Sequence, residues 1–469
     1  MSFIKRIKNN LNNSNDYIFK ELNIDNTRCN IIYNEVLTST YFINNFVLSS
    51  LISLDKKDFK NIINLLPDNN ILIINKKDIY YYLNNGFLIL IIRSYIYAIE
   101  VRTNLHRSIG TVSSELSIMG PKDAFTEDFN INLGLIRRRI KTESLINNSF
   151  IVGKCSNTKI GVLYIDGICN KKLVKNVIKK IKSINIDGII DSGYLRSYLE
   201  YNKSLFPTII MTERPDRSSM ALLEGKIVII TDCSPYVIIL PNFFIDYFHT
   251  VDDYYQKSLN TTFTRLIRLF AFFISILTPS IYLALTTRNY GLLPIKLLYV
   301  LKAGRSFVPF SALIEALLMI LSFEILKESD IRMSNTSSSS VSILGGLILG
   351  DAAVSAGIVS PIMIIVIAIS SIAGLVFNSI ELVNTIRIYK IGFLILSYFL
   401  GLYGIVVGLG ILYLDLNHVN NFNIPYLSPI IPFDKNNIND SIYKTDSNTK
   451  YRNSYLSKNI IRGRSKWRK

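Results

Sequence analysis

This 469-residue chain has only three histidines, four cysteines and one tryptophan. His106, His249 and His418 lie far apart, with no Ser or Cys partner and no metal-ligand spacing, so nothing marks a nucleophile–base pair. Cys29, Cys155, Cys169 and Cys233 form no CxxC or Cys/His pattern, which excludes a zinc site and reads as free thiols in a reducing compartment. There is no GxxxxGK[ST], and no GxGxxG follows a strand, so neither phosphate-cradling loop is present. The N-terminal MSFIKRIKNNLNNSN carries positive charge with no apolar stretch behind it, and no signal peptide is expected. The chain reads as a non-enzyme without cofactor or metal.

Charge and hydrophobicity are distributed unevenly. Up to Thr250 the sequence mixes polar and apolar residues as a soluble protein does, whereas residues 266–414 hold several membrane-length apolar runs. The formal charge is +17, and from Asp434 onward there are ten basic against three acidic residues. A basic tail that follows membrane segments suits lipid headgroups and cytoplasmic retention better than nucleic acid. The untargeted N-terminal half is expected on the same side.

The longest apolar run extends from Val341 to Ala373 and is rich in small residues. About 20 apolar residues cross a bilayer once, so this run is too long for one straight span. It is expected to form a broken pass, or two helices meeting near Gly357–Pro361. Gly346 and Gly350 form a GxxxG, repeated as Ala352/Ala356 and Ala353/Gly357, a spacing that lets helix backbones pack closely in lipid. Asp351 stands in its middle, where a carboxylate is expensive. Further spans are expected at Leu266–Leu285, Val308–Leu326 and the Gly-studded Phe393–Leu414, with Leu292–Leu301 as an optional extra pass. The topology stays open.

Helical patterning is expected over Ile31–Leu54, Lys57–Leu66 and Phe125–Ile140, with short strands at Ile71–Asn75, Phe87–Ile92 and Tyr97–Val101. Beyond Ile151, strands at Lys159–Ile165, Gly188–Asp191, Thr208–Met211 and Lys226–Thr231 alternate with helices at Lys171–Ile184 and Ser218–Leu223. This suggests an α/β unit with largely parallel pairing, closed by an edge strand at Pro235–Leu240. The resulting division is a mobile lead-in (1–28), two α/β subdomains (29–150 and 151–255), a transmembrane domain (262–433) and a basic tail (434–469).

Three groups of residues stand out. Glu315 and Asp351 are acids within apolar runs; each either pairs with a base structurally or lines a wet cavity or ion path. Glu324, beside Lys327 and Glu328, reads as headgroup-level. Arg137, Arg138 and Arg139 end a helix, where they complement its dipole or face another subunit. Glu213, Arg214 and Asp216 sit in a strand-to-helix turn, with Asp216 as a candidate cap and Glu213 as a candidate partner for an arginine.

Residues Ser108 to Leu145 (SIGTVSSELSIMGPKDAFTEDFNINLGLIRRRIKTESL) resemble the GP-x-x-x-F-x-E-D…N-x-x-L-x-R-R-R-I block of spore germination receptor A subunits. The resemblance continues in order through TERPD (Thr212–Asp216), LLEGKIVIITDCSPYVIILP (Leu222–Pro241), DDYY (Asp252–Tyr255) and LALTT (Leu283–Thr287). It extends to VPFSALIEALLMILSFEIL (Val308–Leu326), ILGGLILGDAAVSAGIVSP (Ile343–Pro361) and NIPYLSPIIP (Asn423–Pro432). The family's AREGVPFP is here KAGRSFVPFSA, lacking the acid and the last proline. The resemblance implies a two-part α/β cytoplasmic region before a polytopic α-helical transmembrane domain in the spore inner membrane. It also implies a transporter-like B subunit that senses nutrient, a lipoprotein C subunit, and self-association in a ring, a pentamer, that conducts monovalent cations. Pore or packing candidates are then Pro309, Glu315, Gly345, Gly346, Gly350, Asp351, Gly357 and Pro361. Subunit-contact candidates are Arg137, Arg138, Arg139, Glu213, Arg214 and Asp216. The alternative is a non-conducting scaffold, or a transporter subunit that binds solute itself.

Overall fold

A computed structural model describes residues 14–24, 27–52, 71–92, 95–102, 117–201, 204–332, 350–433 and 453–457, with short pieces at 7–8, 10–11, 112, 115, 346, 441 and 443–444. The expected helix at Lys57–Leu66 and the candidate Gly345 lie outside the described residues.

The first sheet comprises β1 (Tyr17–Ile24), β2 (Thr27–Asn34), β3 (Ile71–Ile73), β4 (Phe87–Ile92) and β5 (Tyr95–Glu100), in the order β1-β2-β4-β5-β3 with every pair antiparallel. Strand β4, FLILII, is apolar throughout because both of its faces are covered. Leu88, Leu90 and Ile92 meet Ile43, Val47 and Leu51 on one side. Phe87, Ile89 and Ile91 meet Ile79 and Leu83 on the other. Two expectations are corrected here. Residues 17–24, assigned to a mobile lead-in, are a full strand. The helix expected from Ile31 starts only at Thr40, because Ile31 and Ile32 point to opposite faces of β2.

The second sheet comprises β6 (Leu145–Val152), β7 (Thr158–Ile165), β8 (Ile210–Thr212), β9 (Ile227–Thr231) and β10 (Val237–Leu240), in the order β6-β7-β9-β10-β8. All its pairs are antiparallel, which corrects the parallel pairing. Strands β8 and β9 do run the same way, as a strand–helix–strand unit requires. Strand β10, however, inserts between them and pairs with both, so it is interior and β8 is the edge. Gly188–Asp191 forms no strand; Asp191 instead caps α3 (Ser192–Leu199), accepting from Gly193 N at 3.0 Å. Helix α1 (Phe129–Arg139) starts later than Phe125 because Asp128 takes the N-cap, accepting from Asn130 N and Ile131 N. Helices α2 (Lys171–Lys182) and α4 (Pro215–Glu224) complete this layer.

The C-terminal part is helical: α5 (Ser258–Thr287), α6 (Ile295–Gly304), α7 (Ala312–Arg332), α8 (Pro361–Gly374), α9 (Ile380–Leu400) and α10 (Leu402–His418). Among the described residues, α5 and α9 are long and apolar enough to cross a membrane. Helix α7, the expected second span, does not qualify: Glu315, Glu324, Lys327 and Glu328 interrupt its apolar run. At about 15 Å, α6 is too short for an extra pass. The span expected at Phe393–Leu414 is two helices, folded back at Gly401 with φ +61° and ψ −138°. The antiparallel pair packs closely because a Cβ on Gly404 would stand 2.1 Å from the Leu396 carbonyl oxygen, and one on Gly408 2.6 Å from the Phe393 ring.

Arg137 joins the two sheet layers. Its guanidinium meets Asp16 Oδ2 at 2.6 Å, with both side chains buried, and donates to Ser14 Oγ at 3.0 Å and Tyr17 Oη at 3.3 Å. Breaking a buried pair by removing one partner costs about 3–5 kcal/mol. Asp16→Asn is expected to lower stability by about that amount in urea unfolding of the full chain in micelles, and a loss below about 1 kcal/mol would remove this pair as the joint.

Candidate functional site

The two halves meet at the DDYY segment. Asp253 is buried just before α5 and accepts from Arg265 Nε at 3.2 Å and Arg268 Nη1 at 2.9 Å. Thr250 N and Oγ1 donate to the same carboxylate at 3.2 and 3.1 Å. The neighbouring Asp252 points the other way and accepts from Ser117 Oγ at 2.6 Å and Ile118 N at 3.1 Å. Two adjacent acids thus tie the Gly120–Pro121 loop to the first turns of α5. Behind them Phe244, Phe248, Phe272 and Phe377 pack edge to face, joining the second sheet's core to α5 and the start of α9.

The TERPD turn faces inward onto the same loop. Arg214 is clamped to Asp216 at 2.8 and 3.1 Å and donates to the Glu115 and Pro121 carbonyls at 3.0 Å each. Tyr255 Oη donates to Asp216 at 3.1 Å, Arg217 pairs with Glu115 at 2.9 Å, and Glu213 accepts from Glu115 N at 3.2 Å. Asp216 lies in the first turn of α4 rather than at its cap, and it takes the arginine that was expected for Glu213. Arg137, Glu213, Arg214 and Asp216 are all buried within the chain. Arg139 is half-buried against Asp123 at 2.6 Å, and Arg138 is exposed.

A cleft of about 530 Å³ opens beside this network, lined by Glu115, Arg214, Arg217, His249 and Asp252 from the sheet module and by Asn378, Ser379 and Glu381 from the start of α9. Arg196 bridges Glu200 and Glu381, Thr385 Oγ1 donates to the Leu205 carbonyl at 2.7 Å, and Ser204 and Tyr389 both donate to Asp415. These contacts fasten the start of α9 to the sheet module beside the cleft. His249 is half-buried in its wall, and its ring lies in hydrogen-bond contact with the Ser441 carbonyl. Burial, then the Arg265 charge, pushes its pKa down to about 4.

The other candidates lie along the helices. Glu315, fully buried on α7, accepts from Ser360 N at 2.6 Å and from Ser360 Oγ, and its second oxygen lies 3.5 Å from Arg305 Nη2. Ser360 is the N-cap of α8, Pro361 is its first residue, and Gly357 holds φ +65° in the break before it. The break expected near Gly357–Pro361 is thus present, and Glu315 fastens it to α7 with a negative charge at a helix N-terminus. Asp351 is exposed and has no hydrogen bond or ion pair among the described residues. Nothing described lies within 4 Å of a Cβ built on Gly346 or Gly350. Pro309 is exposed in the turn before α7. Sequence reasoning missed the roles of Asp253, Arg268 and Ser360; the two acids of DDYY, placed just before an apolar helix with arginines in its first turns, were the available signal.

The architecture is that of a β-rich module bolted at one edge to a helical, membrane-capable half. The family model described as Bacillus/Clostridium GerA spore germination protein matches residues 5–455. Spore germination protein GerQA of Bacillus cereus is 34% identical over 459 residues, covering 97% of this chain and 92% of that protein. Spore germination protein KA of Bacillus subtilis (strain 168) is 39% identical over 339 residues, 72% of this chain and 62% of its own length. The crystal structure of the N-terminal domain of the A subunit of the Bacillus megaterium spore germinant receptor GerK3 matches 51% of this chain and 94% of that chain, at 29% identity and a TM-score of 0.40. The chain belongs to the GerA spore germination protein family.

Because the folded His249 resists protonation, the unfolded chain takes up a proton below about pH 6.5 that the native chain refuses until about pH 4. Its contribution is complete above pH 6.5 and is lost as the pH falls through that window. The melting temperature of the full chain in micelles is expected to drop more steeply between these two values than that of His249→Gln; parallel slopes would exclude His249 as the titrating group.

Proposed function

We propose that this chain is the A-type membrane subunit of a nutrient-responsive germination receptor, and that copies of it assemble into a ring around a cation path. In this reading a transporter-like B subunit senses the nutrient and a lipoprotein C subunit completes the complex, in the spore inner membrane with the sheet module on the core side. Family membership supports the germination role. Exposed apolar residues along the helices, among them Phe270, Ile372, Tyr403, Val406 and Leu414, support contact with lipid.

The observation that carries the ring is the unspent stripe. Gly346 and Gly350 make no close contact with any described neighbour, Ala352 and Ala356 are exposed, and Asp351 stands exposed among them. Small residues favour close helix contact in lipid, and a lone acid on such a face costs too much to meet acyl chains. Both demands are satisfied together when a second copy covers the glycines and the acid faces water in the lumen.

Gating then follows from the joints. Binding at the B subunit can act only through differential affinity for two states. The Asp252–Asp253 hinge transmits a shift of the sheet module to α5, and the Glu315–Ser360 contact holds the broken segment between α7 and α8. Asp351→Asn is expected to change cation release from germinating spores while the subunit still assembles, as judged by crosslinking in the membrane. Unchanged release with intact assembly would take Asp351 out of the path and favour a non-conducting scaffold.

A further inference from the structure

A second polar site lies inside the helical half, away from the junction. A crevice of about 230 Å³ opens between α5, α7, α8 and α9, and Lys327, Arg387 and Lys390 line it together with Glu324. Glu324 is committed to Arg387 at 2.5 Å. Lys390 is only 6% exposed, yet no hydrogen bond or ion pair reaches its ammonium among the described residues. Two further donors on the crevice, Ser275 Oγ and Arg387 Nε, are also buried without an acceptor among the described residues. A buried cation without a partner is strongly disfavoured, and orphaned donors of this kind call for an external acceptor. Three cations face the single carboxylate of Glu324 on this crevice, so the missing group is an anion with several oxygens.

Position and rim narrow the source. Ser275 lies two turns beyond Arg268, about 10 Å along α5, and Arg387 lies about as far along α9 from its sheet-side end. The crevice therefore opens near headgroup depth on the side of the sheet module. Ile372 and Leu375 on its rim are 65% and 63% exposed, an apolar flank that a free inorganic anion would leave bare. Basic pockets between membrane helices at this level hold anionic headgroups. We propose that the crevice seats the phosphodiester of an anionic phospholipid, whose acyl chains run against Ile372 and Leu375. The lipid would brace α7 against α8 and α9, at the opposite end of α7 from the Glu315–Ser360 contact.

The test uses the full-length chain in mild detergent, supplied with phosphatidylglycerol, phosphatidylcholine or inorganic phosphate, with retained ligand counted by native mass spectrometry. Phosphatidylglycerol is expected to be retained about tenfold over phosphatidylcholine, a difference within the range of one or two charge-assisted hydrogen bonds. Lys390→Gln should remove that preference and Lys390→Arg should keep it. The lipid-free melting temperature of Lys390→Gln should be unchanged or raised, because an uncompensated buried charge has been removed. Equal retention of both lipids, retained preference in Lys390→Gln, or retention of inorganic phosphate without phosphatidylglycerol would each overturn the proposal. A lower lipid-free melting temperature of Lys390→Gln would do so as well, by marking Lys390 as a packing residue.

Discussion

The Asp253 carboxylate, buried between Arg265 and Arg268, is the interaction on which the architecture turns. A lone acid in that position would be too costly to bury, and the two arginines would be equally unfavourable at the head of an apolar helix. Together they fix where α5 leaves the sheet module and in what direction. The aromatic wedge of Phe244, Phe248, Phe272 and Phe377 then packs behind a joint whose angle is already set. Lys444 adds a cap to the same joint by donating to the Asp253 and Gln256 carbonyls.

A second charged contact governs the far end of the bundle. Glu315 reaches the N-cap of α8 and makes the break after Gly357 a defined corner rather than a loose turn. The bundle is thereby held at two points by acids and between them by close glycine contacts such as Gly404 on Leu396.

Much of the fold was legible. Lys159–Ile165 and Lys226–Thr231 read as strands because their apolar runs are short and bounded by polar residues, and both are strands in the second sheet. The amphipathic period of Lys171–Lys182 likewise marked a helix with Leu173, Val174, Val177 and Ile181 inward. Pairing direction was not legible, because nothing local tells β8 that β10 will slip between it and β9. Strand β1 was hidden because its Asn, Lys and Glu residues dilute the alternation that burial of Tyr17 and Phe19 depends on. At the site, the motifs marked the right segments but not their orientation. TERPD looked like a surface available to a partner, yet Arg214 is spent on Asp216 and two carbonyls of its own chain.

The division into a polar, sheet-forming half and an apolar helical half was written in the amino-acid order alone, because apolar content and residue period are local properties. So was the break before Pro361, since a proline at the first helical position and a nearby glycine with positive φ act within a few residues. Which charges are buried, and with whom, emerged only once the chain had folded. Arg214, at a turn that read as a contact candidate, is buried against Asp216; Asp253, one of the two acids of DDYY, lies at the centre of the joint; and Lys390 is buried with no hydrogen bond or ion pair among the described residues. Burial and ion pairing are set by what arrives from elsewhere in the chain, often more than a hundred residues away, and no local pattern carries that information.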